Sequence, residues 1–122
     1  MSPLRILVAD DSLAVRVHLE QRLRQEGYVV SLASDGIEAV EVIRENPPDL
    51  AILDINMPRL DGYGVCQEIL ELKLTFPIVF FTSIRANAVR MLGDLHGAYL
   101  TKPVCGQTLM QTVRDMLAPA AN

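Results

Sequence analysis

The sequence has 122 residues, half of them hydrophobic and 21% charged, a balance that fits one globular domain and excludes a disordered chain. Its formal net charge is −4 and its eleven Lys and Arg residues are scattered, which excludes a broad nucleic-acid footprint, since phosphate contacts need clustered cations. No apolar run approaches the length of a membrane span, and the opening MSPLRILVADD is no signal peptide because its apolar run meets two acids at once; a cytoplasmic location is expected.

RILVA (5–9) predicts the first strand. Val15, Leu19 and Leu23 then recur at four-residue spacing, which predicts one face of a helix, and Gly27 ends it. VVSLA (29–33) predicts the second strand. Ala39, Val40 and Ile43 mark the next helix, stopped by Asn46, Pro47 and Pro48. LAIL (50–53) is wholly apolar, as a strand buried on both faces should be. Gly62, Val65, Cys66, Ile69 and Leu72 predict a third helix face. IVFF (78–81) predicts the fourth strand, and Ala88, Val89, Leu92 and Leu95 a weaker helix. AYL (98–100) predicts a short fifth strand, and Leu109, Met110, Val113, Met116 and Leu117 the last helix. One domain is expected over residues 1–122, with its core at 4–118 and a frayed tail at 119–122. Cys66 and Cys105 lack the CxxC or CxxH spacing of a redox or zinc site, and both read as small buried hydrophobes.

Five strand-then-helix units imply an α/β fold, a parallel sheet covered by helices on both faces. Such sheets carry their sites beyond the carboxyl ends of the strands. Those ends hold Asp10 and Asp11, Asp54, Thr82 and Ser83, and Thr101, Lys102 and Pro103. Parallel strands share one polarity, so three carboxylates, a hydroxyl and an ammonium converge on one rim. Carboxylates that close need compensation. An all-oxygen set suits a hard cation, Mg²⁺ first and Mn²⁺ as the second fit. A metal and a lysine beside a carboxylate form the layout for phosphoryl transfer to Asp54. Each part also has a local explanation. Asp10-Asp11-Ser12 can cap the first helix, and Asp61-Gly62 reads as a turn and helix start. Asp54 can be a turn residue, and Lys102 alone would be a surface lysine. The conjunction across four strand ends is what capping does not produce.

Four stretches, VADDS (8–12), LDINMPRLDG (53–62), VFFTS (79–83) and YLTKPV (99–104), together resemble the receiver domain of bacterial response regulators, the chemotaxis-regulator-like family of two-component signalling. The likeness covers residues 4–118. It implies a flavodoxin-like (βα)5 fold with strand order 2-1-3-4-5. By this resemblance Asp54 is the phosphorylated aspartate, and Asp10 and Asp11 serve the metal, Asp11 the more directly. Asn56 offers its backbone carbonyl to the metal. Thr82 is the switch hydroxyl, Lys102 pairs with the phosphoryl group, and Tyr99 turns inward on activation. Lys102-Pro103 resembles the family's cis peptide.

The implied partners are a sensor histidine kinase or phosphotransfer protein upstream and a protein target downstream, with no nucleic acid and no membrane insertion. The protein is expected to act as a phosphoacceptor, catalysing only its own phosphorylation and dephosphorylation. Since the chain ends just after the last helix, output is expected through protein contact, unless these residues are one domain of a longer protein. Two departures stand out. The segment between Thr82 and Lys102 is shorter than the family's usual, and Ser83-Ile84 replaces the small residue that mostly follows the threonine. The alternative is a phosphorylation-independent interaction module on the same fold, but degenerate members usually lose an acid, the lysine or the threonine, and all are present. A flavin- or phosphatase-type enzyme would need a phosphate loop after the first strand, where two acids stand instead. His18 and His96 lack a metal-binding spacing. Arg16, Glu20 and Arg24 read as a solvated face with i,i+4 pairs or as a docking surface.

Overall fold

Near-continuous burial along the central strands sets the architecture: the strands Leu50–Leu53 and Ile78–Thr82 are buried at every residue, as strands covered on both faces are. The computed structural model describes residues 3–83 and 97–118. In chain order these form β1 (Arg5–Ala9), α1 (Leu13–Gln25), β2 (Val29–Ala33), α2 (Gly36–Glu45), β3 (Leu50–Leu53), α3 (Gly62–Glu71), β4 (Ile78–Thr82), β5 (Gly97–Thr101) and α4 (Gly106–Leu117). All strand pairs are parallel, in the order β2-β1-β3-β4-β5. That is the doubly wound order expected from the βα count. The register places Val8 beside both Leu32 and Ile52, Leu53 beside Phe80, and Thr82 beside Thr101.

Successive strand residues point to opposite faces, and each face has its own core. Leu7, Ala9, Leu53 and Phe80 pack with Ala39, Ile43, Val65 and Ile69 of α2 and α3. Ile6, Val8, Ile52 and Phe81 pack with Leu19, Leu23, Leu109 and Met110 of α1 and α4. Burying one such side chain stabilises the fold by about 1.5–3 kcal/mol before entropy is counted. Three helices start on a side-chain cap: Ser12 accepts from the N–H of Val15, Asp35 from Glu38 and Asp61 from Gly64. Gly27, at φ 94, ends α1 as the sequence predicts.

The first three strands have the expected bounds. β4 and β5 run further, to Thr82 and over Gly97–Thr101, because their pairing continues through Thr82 and Thr101. Two expectations are corrected. Leu72 is not part of the α3 core stripe: it is the C-cap and 38% exposed, because the helix stops one residue before it. Cys105 is exposed rather than buried, since it stands at the N-cap of α4, outside the packed face; Cys66 is buried as expected. The helix expected over Ala88–Leu95, together with Ile84, His96 and the tail 119–122, lies outside the described residues.

Candidate functional site

The sheet ladder itself aims the two central acids. Asp10 N–H donates to the Ala33 carbonyl at 3.0 Å, and Asp54 N–H donates to the Ala9 carbonyl at 2.9 Å. Each bond carries the parallel pairing one residue past its strand, so both carboxylates leave the sheet side by side. Asp10 is 2% exposed and Asp54 6%. Asp11 is exposed, yet oxygens of Asp10, Asp11 and Asp54 lie within 4.8 Å of one another. The expected convergence of three carboxylates is therefore present.

Lys102 reaches this cluster from the far side of the sheet. Its backbone N–H donates to the Thr82 carbonyl at 2.8 Å, which ties the end of β5 to the end of β4. Its ammonium donates to Asp10 Oδ2 at 2.6 Å and to Asp54 Oδ2 at 3.3 Å. The peptide between Lys102 and Pro103 is cis. Thr82 is fully buried at the same rim. Tyr99 is half-buried and packs against the core on the α2 and α3 side, in register with Phe80. Asn56 is exposed, and its N–H donates to Asp54 Oδ1 at 3.3 Å.

Electrostatics follow from this crowding. Burial raises the Asp10 carboxyl above its ordinary value, and the nearby Asp54 charge adds to that; the bonds from Lys102 and from the Ser12 N–H oppose it without cancelling it. For Lys102, burial favours the neutral amine, but the bonds and charges of Asp10 and Asp54 outweigh it and hold the ammonium above its usual range. Lys102 thus bonds two of the three acids, Asp10 and Asp54. The chemistry of that donor set, oxygen only and over-supplied with negative charge, fits Mg²⁺ or Mn²⁺.

The local readings of the same residues hold as well. Ser12 caps α1, and its own N–H donates to Asp10 Oδ1 at 2.9 Å. Asp61 caps α3, as its turn reading predicts. Gly62 follows because a Cβ there would meet the Asp54 carbonyl oxygen and the Ile55 Cα at 2.7 Å each. Its N–H donates to the Ile55 carbonyl at 2.7 Å. A glycine is what lets α3 start directly against the Asp54 segment.

Two contributors escaped the sequence. Arg16, read as part of a solvated face, instead donates from Nη1 to the Asp10 carbonyl at 2.9 Å. Its signal was position: it lies four residues past the cap, and helical side chains lean toward the N-terminus. Glu20 and Arg24 do form the expected i,i+4 pair at 3.2 Å. Phe81 is predicted only as part of the fourth strand, yet the Lys102 ammonium sits 5.3 Å from its ring centroid, within cation–π range. Nothing in IVFF distinguishes that phenylalanine from its neighbour.

Comparison with known proteins returns a consistent answer. The family model for the response regulator receiver domain matches residues 6–114. A response regulator MprA from Mycobacterium sp. (strain KMS) is 42% identical over 117 residues, covering 94% of this chain and 51% of that protein. The chain spans about half the length of the curated relatives it matches. Among solved structures, a CheY-like receiver domain protein from Methanospirillum hungatei superimposes with a TM-score of 0.90 at 29% identity, covering 95% of this chain and 94% of that one. The receiver domain of the sensor histidine kinase PA1611 from Pseudomonas aeruginosa, which has a magnesium ion coordinated in its active-site cleft, has a TM-score of 0.84 at 28% identity and covers 95% and 98%.

Proposed function

This chain belongs to the response regulator receiver family of two-component signalling, and from that premise we propose that Asp54 is its phosphoacceptor. The observation that carries the reading is the Asp10-Asp11-Asp54 oxygen cluster with the Lys102 ammonium already bonded to two of its members.

The donor is a phosphohistidine on a sensor kinase or phosphotransfer protein, which places the reaction in the cytoplasm. An Asp54 carboxylate oxygen attacks phosphorus in line, the P–N bond breaks, and the imidazole leaves with a proton. Asp10, Asp11 and Asp54, with the Asn56 carbonyl, would hold Mg²⁺ or Mn²⁺, which supplies charge neutralisation at the phosphoryl oxygens. Lys102 exchanges part of its bond to Asp54 for a phosphoryl oxygen. Thr82 supplies a hydroxyl to the same group. Both gain a contact available only in the phosphorylated state, and such differential contact shifts a conformational equilibrium. Tyr99, one strand over from Phe80, is the side chain that turns inward. Hydrolysis of the acyl phosphate returns the resting state, so the only reaction catalysed is on the protein itself. Output passes to a downstream protein partner.

Intact-protein mass after incubation with acetyl phosphate and Mg²⁺ tests this reading. A phosphoryl adduct is expected that needs the metal and is absent in Asp54→Asn. An adduct that persists in that variant would overturn the assignment.

A further inference from the structure

On the face opposite Tyr99, α1 and α4 do not close on each other. Between them lies a cavity of about 230 Å³ lined by Val15, Leu19, Phe81, Leu109 and Met110. A dry apolar cavity of about 150 Å³ already admits benzene, and drug-sized ligands need about 300 Å³ or more. The space therefore suits a small molecule of one ring or one short chain.

The charge at its rim is one-sided. Arg22 lines the cavity and His18 stands beside it, and among the described residues no acidic side chain is part of the wall. The Arg22 guanidinium makes no hydrogen bond or ion pair with the described residues. It is drawn over Gly106, where a Cβ would meet its carbons and nitrogens at 3.2–3.4 Å. On the same helix, Arg16 and Arg24 are both engaged, with the Asp10 carbonyl and Glu20. Arg22 thus stands apart as a cation held at the mouth of an apolar space, with no carboxylate bonded to it among the described residues.

We propose that this cavity binds a small amphiphilic carboxylate, its apolar body between α1 and α4 and its carboxylate on Arg22. Apolar burial supplies the attraction, and a planar guanidinium matches a carboxylate with two parallel bonds. Phe81 forms the inner wall and also lies beneath the Lys102 ammonium, so the ligand touches the ring that backs the acidic site. Binding itself does not depend on phosphoryl chemistry.

Phenylacetate and its neutral isostere phenylacetamide are the probes, titrated separately into the ¹⁵N-labelled protein. Saturable amide shifts are expected at residues 14–22 and 104–110, with the anion bound roughly tenfold or more tightly than the amide, the worth of one charge-assisted contact. Arg22→Gln should erase that preference and leave phenylacetamide binding unchanged. Ala14→Phe, at the exposed rim, should block both probes. Shifts that scatter or never saturate would overturn the proposal. So would equal affinity for the two probes, full binding in Ala14→Phe, or the same amides shifting with protein concentration alone, which would mean that a second copy covers the cavity.

Discussion

Phe80 and Phe81 are adjacent in β4, yet they belong to different proteins in miniature. Phe80 is fully buried in the core that it shares with α2 and α3. Phe81 faces α1 and α4, borders the cavity and lies under the Lys102 ammonium. One face of the sheet is packed for stability; the other leaves room beside the chemistry. The difference comes from how closely the helices approach. On the tight side Gly36 and Gly62 let backbone meet backbone, with a Cβ at Gly36 colliding with the Leu60 carbonyl. On the open side the helices are separated by side chains, and the gap remains.

Truncating each phenylalanine would sharpen this contrast most. Phe80→Ala should cost about 3–5 kcal/mol, the range for a well-packed core phenylalanine. Phe81→Ala should fall at or below the bottom of that range, because its ring already lacks neighbours on the cavity side. Urea unfolding of both variants measures the gap, and equal losses would mean that the two faces are packed alike.

Two glycines make the same comparison at smaller scale. Gly62 and Gly106 each open a helix directly after its N-cap. Gly62→Ala should cost about 1–3 kcal/mol, as overpacking against rigid backbone does, and should lower phosphoryl acceptance by displacing Asp54. Gly106→Ala meets only the flexible tip of Arg22, so it should be neutral or stabilising by up to about 1 kcal/mol. Thermal midpoints of the pair decide it; a reversed order would break the contrast.

The two cysteines divide likewise. Cys66 sits in the closed face, and burial pushes its thiol up to about 12. Cys105 is exposed, and its thiol is lowered chiefly by the Thr108 hydroxyl, with backbone N–H groups of Thr108 and Gln107 assisting. Iodoacetamide near neutral pH should therefore alkylate Cys105 alone, faster as pH rises, and reach Cys66 only after unfolding. Peptide mapping of the native protein would show it, and early label on Cys66 would mean that the closed face opens.

The smallest effect is electrostatic. Lys102 has a folded pKa above its ordinary 10.5, so its ion pairs stabilise the fold fully below that value, and the contribution is lost as pH rises through the folded pKa. In metal-free buffer, stability should fall at strongly alkaline pH, and Lys102→Met should lack that part of the fall. Urea midpoints across the alkaline range would test it, parallel curves counting against the pairing.

The residues alone determined a good deal of this protein. Apolar runs of strand length, broken by four-residue helical stripes, set the order of elements, because burial on two faces demands continuous hydrophobicity and helices demand period 3.6. Parallel strands then forced Asp10, Asp54, Thr82 and Lys102 to one rim, whatever the loops did. The resemblance supplied their roles, along with strand order and the cis peptide at Pro103. Tertiary structure decided what local pattern leaves degenerate. It chose which phenylalanine of the IVFF run meets Lys102, because facing depends on register rather than residue type. It turned Arg16 onto the Asp10 carbonyl and left Arg22 without an ion pair among the described residues, though both are arginines on one helix, because a long side chain takes whatever acceptor the next element presents. It exposed Cys105 and left a gap between α1 and α4, since the fit of two helix faces depends on side-chain shapes meeting across space.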